Sequence, residues 1–174
     1  MSQFVNNGTY DFDKITKDEI PKVIEVITSI KEASGAAGMA FTFTEDCPIS
    51  GIIKSLPDMI GELIFTGEKV ITHREMSTLV EYLKGHSDLR YLELVKCRLA
   101  DQATEELFIE TIKEDQQLTL LFAPICSSPS SLLEALEANT TLIGICTGRD
   151  QDREALTRIV ARNKSVRYSS ERNQ

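Results

Sequence analysis

The string LRYLELVKCRL, residues 89–99, places Leu89, Leu92, Leu94, Cys97 and Leu99 at alternating steps of three and two. The same phase recurs at one equal distance on either side, upstream at Ile60, Leu63, Phe65, Glu68 and Val70 and downstream at Leu118, Leu121, Ala123 and Cys126. Two shorter steps, again equal to each other, then lead to Leu142, with Ile145, Thr147 and Asp150 in register, and to Val166. A chain with such a period is built from one small unit stacked on copies of itself, which favours binding over catalysis as the functional class.

Between these strings the apolar residues change to helical spacing. Leu79, Val80 and Leu83 correspond to Phe108, Ile109 and Ile112, and Leu132 and Leu136 to Leu156 and Val160. The last helical anchor stands at one constant offset before the next strand: Leu83 to Leu89, Ile112 to Leu118, Leu136 to Leu142 and Val160 to Val166. Each unit therefore reads as a short strand and a helix, with strands expected near 63–65, 92–94, 121–123 and 145–147. Helix starts are marked by Thr72 with Glu75 as a capping box, by Asp101 as an N-cap, and by Ser128 before Pro129. One unit alone cannot bury its apolar face, so the core forms only by stacking.

The segments LRYLELVKCRLADQATEELFIETI and LLEALEANTTLIGI resemble the ribonuclease-inhibitor-type leucine-rich repeat family, which includes the repeats of NOD-like receptors and the C-terminal domain of tropomodulin. The resemblance covers residues 59 to about 168. It implies an α/β leucine-rich repeat solenoid, a right-handed horseshoe segment with a parallel sheet on the concave side and helices on the convex side. It also implies that Cys97 and Cys126 turn inward in the bend after the strand, and that the surface binds another protein.

Three regions are expected: an N-terminal tail and capping helix over 1–38, repeats over 39–168, and a C-terminal tail over 169–174. The capping helix spans 18 to about 31, with Ile20, Val23, Ile24, Ile27 and Ile30 along one side and Pro21 in the first turn. The Gly-rich stretch 32–40 reads as a linker. After it, Phe41 and Phe43 alternate with threonines and precede Ile49, Ile52, Ile53 and Leu56, as in a degenerate first repeat. The first ten or so and the last five or so residues are expected to fray.

A net charge of −8 argues against general nucleic-acid binding, which needs a basic footprint. Residues 149–174 depart from the average: seven basic side chains against four acidic ones give +3 there and −11 elsewhere. Of two readings, a basic patch for an acidic partner or phosphate and the solvated outer face of a last helix, charges at mixed helical spacing favour the second. The first residues lack a basic start and an apolar core, and no apolar run reaches membrane-spanning length, so a cytoplasmic protein without membrane insertion is expected. Cys47, Cys97, Cys126 and Cys146 show no C-x-x-C pairing and read as free thiols.

Catalytic signals are sparse. His86 shares its repeat position with Asp115, Asn139 and Asn163, a polar residue that ends each helix, and His73 flanks a capping box. Cys47, before Pro48 at a loop-to-helix transition, is the sharpest enzymatic hint, but Glu45 and Asp46 beside it oppose thiolate formation. Neither a phosphate-binding loop nor a metal cluster is visible, so a non-enzymatic chain without cofactor is expected.

If the leucines face the core, the alternating residues face outward on the strands. One column is Glu62, Tyr91, Leu120, Gly144 and Tyr168; the next is Ile64, Glu93, Phe122 and Cys146; a third is Thr66, Val95, Pro124 and Gly148. Glu62, Ile64, Tyr91, Glu93, Val95, Leu120 and Phe122 form the expected partner-binding site, an apolar cluster rimmed by carboxylates, with Gly144 and Gly148 as a dip beside it. The partner is expected to be a protein or peptide, and the chain an adaptor, an inhibitor or a bacterial effector acting in a host cytoplasm. The alternatives are a thiol-dependent enzyme using Cys47 or Cys146, and an actin-binding domain like that of tropomodulin.

Overall fold

The computed structural model describes residues 2–6, 8–32, 37–147 and 150–171. Seven strands form one sheet: β1 (Ser2–Asn6), β2 (Thr9–Ile15), β3 (Gly38–Phe43), β4 (Glu62–Gly67), β6 (Tyr91–Glu93), β8 (Leu120–Phe122) and β9 (Gly144–Cys146). Their spatial order follows the chain, every pair from β2 onward is parallel, and β1 closes the first edge antiparallel to β2. A smaller parallel pair, β5 (Val70–Ile71) with β7 (Arg98–Leu99), follows the bends after β4 and β6.

Parallel neighbours need a crossover, and helices supply it. The helices are α1 (Ile20–Glu32), α2 (Ser50–Ser55), α3 (His73–Gly85), α4 (Gln102–Glu114), α5 (Pro129–Ala138) and α6 (Arg153–Glu171), and each packs on the next in chain order. Along β4, Leu63 and Phe65 are fully buried while Glu62 is exposed and Ile64 half-buried, so the helices cover one face of the sheet. The buried face carries the expected rows: Met39, Leu63, Leu92 and Leu121 lie at one register, and Phe12, Phe41 and Phe65 stack at 5.1 and 5.3 Å between ring centroids.

Caps form where the sequence marks them. Thr72 and Glu75 make the capping box of α3, and the Asp101 carboxylate accepts from the Thr104 amide at 2.8 Å to start α4. At Ser128 the device differs. Its side chain makes no cap bond, and the Glu105 carboxylate of α4 accepts instead from the main-chain amides of Ser127 and Ser128.

The structure corrects three expectations about the ends. The N-terminal residues are strands, because Phe12 and Ile15 are buried against β3. The helix at 20–32, expected as a cap apart from the repeats, joins β2 to β3 and packs on α2, so it flanks the first expected repeat as one more member of the helical row. At the other end α6 runs unbroken through 166–168, where a further strand was expected. Val166 is followed by Arg167, Tyr168 and Ser169; one isolated apolar residue cannot anchor a strand, and the helical hydrogen bonds continue instead. Of the expected linker over 32–40, residues 33–36 lie outside the described residues, and 38–40 are not linker but the start of β3.

Candidate protein-binding face

The strands are short because the backbone turns sharply after them. Gly67 and Lys96, one repeat apart, both adopt left-handed backbone, with φ of 98° and 66°. At Gly67 this conformation and the main chain of Phe43, pressed against the place a Cβ would occupy, require glycine. β6 therefore ends at Glu93, and Val95 lies in the bend, half-buried, so its expected place on a third strand column is corrected. Pro124 of that column is buried, and Gly148 lies outside the described residues.

On the uncovered face two columns run across the sheet. The first is Thr9, Gly38, Glu62, Tyr91, Leu120 and Gly144; the second is Asp11, Ala40, Ile64, Glu93, Phe122 and Cys146. Six of the seven expected site residues, Glu62, Ile64, Tyr91, Glu93, Leu120 and Phe122, thus sit side by side. Tyr168, placed by the repeat count in the first column, is instead an exposed residue of α6.

The face divides chemically. Toward β2 it is polar, with Asp11, Thr9 and Glu62, and the Thr9 hydroxyl donates to Glu62 Oε2 at 3.3 Å. Toward β8 it is apolar: the Tyr91 and Phe122 rings lie 5.6 Å apart at 38°, and Leu120 is exposed beside them. The Tyr91 hydroxyl donates to Glu93 Oε2 at 2.5 Å, which locks the ring over the sheet. Burial, and then that hydrogen bond, push the Tyr91 hydroxyl well above its ordinary range, so it stays a donor. The dip expected at Gly144 is filled: the Leu120 side chain occupies the space over that glycine.

Sequence reasoning missed the β2 and β3 contributions, Thr9, Asp11, Gly38 and Ala40. The alternation of Tyr10 and Phe12 with Thr9, Asp11 and Asp13 was the available signal. It also missed Ile125, 65 % exposed just beyond β8 and bridged to Arg98.

Cysteine chemistry has little support. Cys47 is buried, and burial, followed by the Glu45 charge, pushes its thiol up. Cys97 is fully buried, its thiol donates to the Phe65 carbonyl at 3.3 Å, and burial pushes its pKa up to about 12. Cys126 is buried and Cys146 half-buried, and all four cysteines are free. Among the described residues no helix is long and apolar enough to cross a membrane.

A scan against protein-family models and a search of curated proteins found no match. Among solved structures the fold is similar to "Leiomodin-1 Actin-Binding Site 2 (ABS2)", with a TM-score of 0.62 and 12 % sequence identity, over 87 % of this chain and 93 % of that one. At that identity the likeness is one of fold.

Proposed function

We propose that this chain is a non-enzymatic protein-binding module of the leucine-rich repeat type, a segment of a right-handed solenoid that engages a protein or peptide on its concave sheet face and adjoining loops. The observation that carries the reading is the Tyr91, Leu120 and Phe122 cluster on the side of the sheet that no helix of the described residues covers. A solvated sheet face is ordinarily polar, and aromatic residues gathered on one with a carboxylate rim are the composition of a binding hot spot. A raised Cys47 pKa in a buried setting argues against the thiol-enzyme alternative.

Actin is the partner to test first. The similar solved structure is that of an actin-binding site, and actin is also what the tropomodulin resemblance implied from the repeats. In a co-sedimentation assay with filaments, and in native electrophoresis with monomers, the intact chain should associate with actin. Phe122→Asp should lose at least 30-fold in affinity while its far-UV circular dichroism is unchanged, because a hot-spot aromatic contributes about 2 kcal/mol or more. Association that survives Phe122→Asp in a folded variant would remove the concave face from the reading. Absence of association in both assays would remove actin.

A further inference from the structure

Among the described residues the sheet ends at β9, whose outer edge pairs with no strand. Gly144 donates to the Thr119 carbonyl at 3.1 Å and the Cys146 carbonyl accepts from Ala123 at 2.8 Å, so both turn their main-chain groups toward β8. In a parallel ladder the residue between them points the other way, which leaves the amide and carbonyl of Ile145 on the open side. Beside this edge an open cavity of about 650 Å³ separates β9 from α6. Its walls are apolar at Ile145, Leu156 and Val160, and it carries the cations Arg153 and Lys164 with no carboxylate among its lining residues.

The groove exists because α6 continues as helix through 166–168, leaving no strand from the described residues on this edge. Ile145 and Val160 stay half-buried at its wall, and Leu156 is buried behind them.

We infer that the β9 edge and this groove form a second binding site, distinct from the concave face, which takes an extended acidic peptide segment of another protein as an added strand. Main-chain pairing to Ile145 supplies the register, and alternate side chains of the incoming strand enter the groove. Charge selects the occupant. Residues 149–174 carry +3 in a chain of −8, and Lys164 is exposed on the groove, so the segment attracts carboxylates where the rest of the chain repels them. A second copy is a poorer fit: in a twofold arrangement each patch meets itself, which sets Lys164 and Arg153 against their own equivalents.

The test uses the intact chain and a blocked, fluorescein-labelled six-residue peptide of alternating valine and glutamate. Binding should be saturable by anisotropy and should slow iodoacetamide alkylation of Cys146, read by intact mass, at least tenfold. Lys164→Glu, at an exposed position, should weaken binding at least tenfold, whereas Phe122→Asp should leave it unchanged. A peptide with lysine for glutamate, or one N-methylated at its central amides, should fail to bind. No protection of Cys146, equal binding of the lysine peptide, or sensitivity to Phe122→Asp alone would overturn the site. Self-association of the chain that is abolished by the Val160→Glu change would overturn it in favour of a second copy.

Discussion

Asn163 donates from Nδ2 to the carbonyl oxygen of Asn139, 3.2 Å away and one repeat earlier, and to that of Leu142 at 2.8 Å. Asn139 does the same one unit back, to Ile112 at 2.8 Å and Asp115 at 2.7 Å, while its Oδ1 accepts from the amides of Thr141 and Leu142. Both side chains are fully buried. This is a two-rung polar ladder that ties the end of α5 and the middle of α6 each to the unit before it.

Removing a rung leaves buried main-chain groups without partners, the expensive half of hydrogen-bond energetics. Asn139→Ala is therefore expected to lower stability by about 2 to 3 kcal/mol, read from the urea midpoint at unchanged slope. Gln116→Ala, at an exposed contact with Thr140, is the control and should move the midpoint little. Equal effects would mean that the ladder is incidental.

The ladder also marks how far the sequence could be read. The repeat spacing identified His86, Asp115, Asn139 and Asn163 as one position, and the first three do end α3, α4 and α5. Asn163 does not end its helix: α6 runs on to Glu171. Spacing reports which residues are equivalent, but whether a strand forms depends on enough apolar area to bury, and residues 166–168 offer only Val166 and Tyr168, both exposed. The columns on the uncovered face were legible because strand periodicity is two and the leucines fix its phase. The groove beside β9 was not, since the repeat spacing put a strand at 166–168 where the described residues continue as helix.

Phase has a direct test on β8. Leu121 is fully buried and Phe122 half-buried on the opposite face. Leu121→Ala and Leu92→Ala should each cost about 2 to 5 kcal/mol through lost burial and the cavity left behind. Phe122→Ala should cost clearly less, in the same urea titrations. A reversal of that order would place the leucines on the wrong face.

Thiol reactivity separates one cysteine from the other three. Cys47, Cys97 and Cys126 are buried, and the Cys97 pKa of about 12 leaves on the order of one thiolate in ten thousand at pH 8. Half-buried Cys146 should react first with a small aromatic disulfide reagent under native conditions. The remaining three should follow only on unfolding, with a rate that tracks urea concentration. Rapid native modification of Cys97 would contradict the buried turn after β6.

Acid should loosen the joint between α4 and the bend after β8 before it unfolds the rest. Burial raises the Glu105 pKa, but hydrogen bonds from the Ser127 hydroxyl at 2.6 Å and from the amides of Ser127 and Ser128 outweigh it, and the net shift is downward. A carboxylate with a depressed folded pKa contributes stability that is complete above its ordinary value and disappears as pH falls through the folded one. Glu105→Gln retains one acceptor oxygen and loses the charge, so it should be less stable than the parent at pH 7. Once the parent's own carboxyl is protonated, the two proteins should converge, and the gap in urea midpoint should shrink steadily below the ordinary glutamate range. A gap that stays constant down to pH 3 would mean that the variant's defect lies in packing, and that the Glu105 charge does not hold Ser127 and Ser128 in place.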